Sequence, residues 1–243
     1  MSRRIWESPS QPVKRRRSPA PQSAPGGRAD APLGDLRFRA LLSDDDWQSL
    51  PLATRRRFSK RLADGQSAIY LGTMVRAFIS PIGWVLANVA RLIGGPLPVG
   101  RDVDVPFIVT VTEEMATGGQ IWTRICTRRH RFPQVIHSSK RFSGPTGLEE
   151  YIGFGLSVAL TILVEDRSLR FRSAGYFLKI GSRRLRWPDW AAPGTLTVGH
   201  ADLGEGEFLF TLELVHPRFG HLIDHAAVFR EAAPQGPQPC ADV

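Results

Sequence analysis

Two groups of side chains carry reactive potential by type and spacing. His216, His221 and His225 lie close together, with Asp224 beside the last. On an extended strand His221 and His225 point the same way, and His216 faces them across a turn, so imidazole donors for a metal ion are at hand. No further ligand with dedicated spacing accompanies them, and Ile223 shares their face, so no metal is expected. The second group is residues 122–143, which carry Arg124, Arg128, Arg129, Arg131, Lys140 and Arg141 with His130 and His137, and no acid. Two neighbouring strands of this composition make one basic face or rim, and the planar guanidinium fork suits a carboxylate, a phosphate or a lipid headgroup. Nucleic acid is a second polyanion, but Trp122, Phe132 and Phe142 do not form the stacking pattern of an RNA module. Arg124 lies next to Trp122 on an alternating stretch and is balanced between an inward, anion-holding role and a solvated one. Arg128, Arg129 and Arg131 read as a solvated turn.

Other chemistries leave no mark in this sequence. A phosphate loop of the form GxxxxGK[ST] and a zinc helix of the form HExxH are both missing. Gly153 and Gly155 begin a glycine fingerprint that Val158 ends, and no helical pattern follows. Ser157 stands in a Gly-Leu-Ser-Val-Ala run that lacks the second glycine of a nucleophile elbow. Cys126 and Cys240 are the two cysteines, too few for a disulfide framework or a thiolate zinc site.

The elements that must hold these groups change character along the 243 residues. The formal charge is +9, and residues 1–34 hold +5 of it, with Lys14, Arg15, Arg16 and Arg17 in a Pro/Ser-rich, nearly apolar-free setting. Such a segment cannot offset its ordering entropy by burial and is expected to be disordered, with polyanion contact as its one functional option. It lacks the apolar core of a signal peptide, and the longest charge-free runs, 77–90 and 151–164, fall short of the roughly 18 residues a spanning helix needs. A cytoplasmic location follows as the expectation.

Past residue 35 come short helical pieces around Phe38, Trp47 and Phe58, then the clearest local signal, residues 80–95. Ser80 suits the N-cap, Pro81 the first helical position and Gly94 the stop. Ile82, Val85, Leu86, Val89, Leu92 and Ile93 fall on one face, predicted to bury against a sheet. A helix lying in a membrane interface is the rival reading, with Trp84 and Arg91 at the surface. From residue 107 the period becomes two, and about nine strands follow between turn signals, up to the alternating Phe208, Phe210, Leu212, Leu214 set and residues 221–229. The lack of long helical runs between them argues against parallel βαβ units. The fold expected is α+β: short N-terminal helices followed by an antiparallel, curved or barrel-like sheet of about nine strands. It occupies one domain over 35–231, with a second frayed tail from 232.

An ordered series of short motifs runs through this domain. Phe38-Arg39-Ala40-Leu41-Leu42 leads to Trp47 and Leu50-Pro51. Leu92-Ile93-Gly94-Gly95-Pro96-Leu97-Pro98 follows, then Trp122-Thr123-Arg124, and finally Val215-His216-Pro217-Arg218-Phe219-Gly220-His221. Over roughly residues 36–230 the series resembles the bacterial DUF4166 family, a domain of unknown function. The resemblance implies an association with nucleotide-binding, reductase-like proteins, since the family also occurs behind saccharopine-dehydrogenase-like or short-chain-reductase-like domains. It carries over no catalytic residue.

The expectation is therefore a non-catalytic domain that binds an apolar or amphipathic, lipid-like small molecule within the sheet, without a cofactor. Trp122, Arg124, His137, Phe208 and Phe210 are its candidate ligand-binding residues. An enzyme or accessory domain of an oxidoreductase system, with Arg124 and His137 as the working pair, is the alternative. A third reading is an interaction protein acting through its basic tail on nucleic acid or an anionic membrane.

Overall fold

The computed structural model describes residues 34–62 and 66–232. The tails expected over 1–34 and 232–243 lie outside the described residues, Gly34 and Ala232 apart. The strands are β1 (Ser67–Ile79), β2 (Pro106–Glu114), β3 (Gly119–Arg128), β4 (Arg131–Arg141), β5 (Glu149–Gly153), β6 (Leu156–Glu165), β7 (Ser168–Ile180), β8 (Arg183–Arg186), β9 (Thr195–Gly204), β10 (Glu207–His216) and β11 (Gly220–Glu231). They form one antiparallel sheet in the order β6-β5-β4-β3-β2-β1-β11-β10-β9-β7-β8, and a further β6–β7 pairing closes it. Ten strands thus make a barrel, with β8 outside. The long β7 does both jobs. Its first half joins β9, from Leu169 opposite His200, and its second half carries β8, from Phe177 opposite Arg186.

Alternation explains which side faces in. On β2 the buried side chains are Phe107, Val109 and Val111; on β10 they are Phe208, Phe210, Leu212 and Leu214. Closure pairs the backbone edges that an open sheet would leave bare. One end of the barrel is plugged by α1 (Asp44–Ser49) and α2 (Leu52–Phe58). Ser43 caps α1 by accepting from the Asp46 N–H, and Trp47, Leu50 and Phe58 are buried beneath these helices. Phe58 lies 5.0 Å from His200 and 5.6 Å from Phe171, ring to ring.

Two strands escape the sequence reading. Along β1 the outward Ile69, Leu71 and Val75 are as apolar as the inward Tyr70 and Met74, so no alternation shows. Gly72 interrupts it further, because the Phe229 ring and Val228 carbonyl of β11 lie where a Cβ would be. The second, β5, is five residues long and begins with two glutamates.

At the other end stands α3 (Pro81–Val89), prolonged by a 3-10 turn (Ala90–Ile93). Its signals read correctly: the Ser80 hydroxyl accepts from the Gly83 N–H at 3.0 Å, Pro81 opens the helix, and Gly94 stops it at φ +105°. The predicted buried face does not. Ile82, Val85, Val89 and Leu92 are exposed, Leu86 is half-buried against the core, and Gly83, Ala87 and Ala90 are the residues fully buried. Gly83 sits directly on the Leu222 carbonyl, where any Cβ would collide. The helix is seated chiefly by its small residues, and most of the large ones are left at the rim.

The histidine geometry also needs correcting. Between Leu214 and Val215 the β10–β11 register shifts, so that Val215 pairs with His221 and Leu222 is the extra residue of a bulge. One extra residue reverses the facing of everything beyond it. His221 is therefore exposed while His225 is buried, and His216 turns aside to stack on Phe219 at 4.7 Å. Among the described residues no group of three His, Cys, Asp or Glu side chains is placed to hold a metal.

Candidate binding site in the barrel interior

Inward positions on three adjacent strands bring four polar side chains together. Trp122, Arg124 and Cys126 point inward from β3, Ser138 and Lys140 from β4, and Glu150 from β5. Arg124 donates to the Ser138 hydroxyl at 2.9 Å and to Glu150 Oε1 at 3.2 Å. Ser138 donates to the same oxygen at 2.6 Å, and Lys140 Nζ reaches Glu150 Oε2 at 3.2 Å. The Lys140 ammonium also lies 5.1 Å from the ring centres of both Trp122 and Phe171, where the aromatic faces replace part of its lost hydration.

Two cations and one carboxylate meet here. Burial alone raises the Glu150 carboxyl, but Lys140 and Arg124 together with the Ser138 hydrogen bond outweigh it and hold it down at about 2. Burial lowers Lys140, and Glu150 opposes that. With Lys140 protonated the group is left positive by one charge. Arg124 Nε is buried and has no hydrogen-bond partner among the described residues.

Above this group the barrel is hollow. A cavity of about 360 Å³ runs toward the α3 end, within the range of roughly 300–1,000 Å³ typical of small-molecule sites. Phe107, Ile136, Val198, Phe210, Leu212 and Leu214 are among its apolar walls, and Arg124, Ser138 and Glu150 form a polar patch. Leu92 and Ile93 border its mouth on one side and Trp187 and Pro193 on the other.

The residues singled out from sequence separate on this geometry. Arg124 and Phe210 line the cavity. Trp122 is buried beside Lys140, and Phe208 lies deeper, stacked on Phe229 and covered by the Arg57 guanidinium 3.6 Å above its ring. His137 is on the outside of the barrel, exposed, with Nδ1 3.0 Å from the Thr123 hydroxyl, so β4 keeps it and Arg124 on opposite faces. The basic stretch is not one face. Arg124 and Lys140 go inward, Arg141 pairs with Glu114, and Arg128 and Arg131 sit at the β3–β4 turn.

The DUF4166 family profile, described as a domain of unknown function, matches residues 50–229. The chain belongs to the DUF4166 family. No curated protein matches it. The DUF4166 match covers ten of the eleven strands and most of β11, including every polar residue of the interior group. Among the described residues of this DUF4166 domain, no helix is long and apolar enough to cross a membrane.

Sequence reasoning missed Lys140 as an interior residue, and Glu150 and His200 altogether. His200 sits among Phe58, Phe210 and Phe171 at 5.0, 5.4 and 5.9 Å, with Nδ1 lacking a partner among the described residues. Burial, then the positive charges of Arg57, Lys140 and Arg124, hold its imidazole well below the ordinary value of 6.5. Burial likewise takes His225 down to about 4, against the pull of Asp224 and a backbone contact at Gly100. A base whose folded pKa is depressed gives stability that is complete above the unfolded value and is lost as pH falls below it. Melting temperature is therefore expected to fall as pH drops from about 6.5 toward 4, ahead of any carboxylate titration. His200→Phe removes one contributor and should flatten that limb in a thermal-denaturation series. An unchanged pH slope in the variant would show that His200 is not held neutral.

Proposed function

We propose that this domain binds one small amphipathic molecule with an anionic head, the chain in the cavity and the head against Arg124, without transforming it. The observation that carries the reading is the pairing of an apolar cavity with the buried Arg124 on its wall, whose Nε has no hydrogen-bond partner among the described residues. Apolar walls favour a hydrocarbon chain by about 0.8 kcal/mol per buried CH₂. A carboxylate placed at Arg124 would engage the unpartnered Nε in a charge-assisted hydrogen bond. Catalysis finds less support, because His137, the proton-transfer candidate, lies on the outer face.

Competition between a fatty acid and the alcohol of equal chain length tests this at neutral pH. A charge-assisted hydrogen bond contributes about 1.5–3 kcal/mol, so the acid should bind roughly tenfold or more tightly. Arg124→Gln should erase that preference while leaving the alcohol's affinity near its original value. Equal affinities for acid and alcohol in the unmodified protein would remove the anionic head from the proposal.

A further inference from the structure

The end of the barrel where the cavity opens carries large apolar side chains with nothing packed on them. Antiparallel order brings the β3–β4 turn, the β5–β6 turn, the β8–β9 connection and the α3 segment to this one end. Each presents an exposed tip: Phe132 at 94% exposure, Phe154 at 73%, Trp190 at 84% and Leu92 at 80%. Val85 and Val89 on α3 are more than half exposed beside them. A scatter of single exposed hydrophobes needs no explanation, but several of them gathered at the end where a cavity opens do. Leu92 borders the cavity itself, and Gly94 lies against Ile152, a cavity residue just before the Phe154 turn.

Beside Phe132 and the end of the α3 segment lies a second, open depression whose charged lining is entirely basic: Arg91, Arg128, His130 and Arg131, with Phe132 and Val135. Among the described residues no ion pair within 4.0 Å engages Arg91, Arg128 or Arg131, and Asp102 is the one acid lining the adjoining depression with Arg128 and Arg131. Unpaired arginines alternating with protruding Trp, Phe and Leu match the interface of an anionic bilayer, which takes apolar tips into its acyl boundary and arginines among its phosphates.

We infer that the mouth end docks on anionic phospholipid membranes, with Leu92, Phe132, Phe154 and Trp190 inserted and Arg91, Arg128 and Arg131 at the headgroups. The cavity then opens toward the bilayer, and an amphiphile can pass between the two without crossing water. The purpose of docking rests on the ligand-binding reading, but its test does not, since vesicle binding and ligand titration are read separately.

Vesicle flotation of the full chain is the experiment, comparing equimolar phosphatidylglycerol and phosphatidylcholine with phosphatidylcholine alone. Three variants separate the contributions. Leu92→Ser with Phe132→Ser removes tips, and Arg91→Glu with Arg128→Glu reverses charge. Replacing Lys14, Arg15, Arg16 and Arg17 by Ala removes the other basic cluster. Arg91, Leu92 and Phe132 are exposed and Arg128 is half-buried, and matching melting curves verify that the variants fold. The unmodified protein should float with the anionic vesicles and stay behind with the neutral ones. Each mouth variant should lose about tenfold or more of that binding, and the tail variant should keep binding that still depends on Leu92 and Phe132. Mouth variants that float like the unmodified chain, flotation abolished by the tail substitutions alone, equal binding to neutral vesicles, or no flotation at all would each overturn the inference.

Discussion

Glu150→Gln should cost about 3–5 kcal/mol of folding stability, while Lys140→Met, one hydrogen bond away, should cost less than about 1.5 kcal/mol. The asymmetry follows from charge. Glu150 is the carboxylate that both Arg124 and Lys140 share, at 3.2 Å each. Neutralising it leaves two cations facing one another among apolar walls, whereas removing Lys140 leaves a balanced Arg124–Glu150 pair. Methionine keeps most of the lysine's volume against Trp122 and Phe171. Chemical denaturation of the two variants measures the difference directly. Equal losses would mean that Lys140 is already neutral in the folded protein. The same cluster fixes the acid limit. Glu150 and Glu114 are both held at about 2 against an ordinary 4.5, Glu114 chiefly by its hydrogen bond to Arg141. Their stabilising contribution is present above about 4.5 and is lost as pH falls toward 2.

Leu212→Trp should abolish ligand binding and leave the fold intact. Leu212 points inward from the middle of β10, opposite Val198 of β9, and both line the cavity. In a filled core an added indole forces neighbours off their rotamers, at about 1–3 kcal/mol. In a hollow barrel the same ring takes up unoccupied space and its extra apolar surface is buried, so the melting temperature should hold or rise. Stability and binding thus answer together. A large stability loss would mark a packed interior, and retained binding would place the ligand elsewhere.

What the sequence made legible follows from how strongly each segment alternates. Phe107, Val109 and Val111, or Phe208 through Leu214, cannot be read as anything but half-buried strands, and they led to the barrel-like sheet. Ser80, Pro81 and Gly94 marked the helix ends for purely local reasons. The buried face of α3 was not legible, because small residues seated it where a hydrophobic pattern favours large ones, and only the position of the Leu222 carbonyl explains why. Strand β1 hid because both of its faces are apolar.

The site was half legible. Arg124 between Trp122 and Cys126 falls on the inward phase of β3, and that phase requires a buried acid in register nearby. Glu149 and Glu150 are the nearest acids downstream of a basic stretch without any, but they open a strand of five residues, too short to show an alternation. Lys140 reads from sequence as one more cation of a basic face or rim, and only the pairing of β4 with β5 sets it opposite Glu150. The bulge at Leu222 undid the facing assumed for His221 and His225, and no local signal in the sequence places a bulge there.

Equilibrium titration of the full chain with a dansyl-labelled fatty acid tests the central claim most directly. The hollow barrel predicts saturation at one equivalent, with blue-shifted dansyl emission, competition by unlabelled acid, and no saturable signal in Leu212→Trp. An emission that rises without saturation for every chain length tried, or one that Leu212→Trp leaves unchanged, would contradict a ligand site inside the barrel.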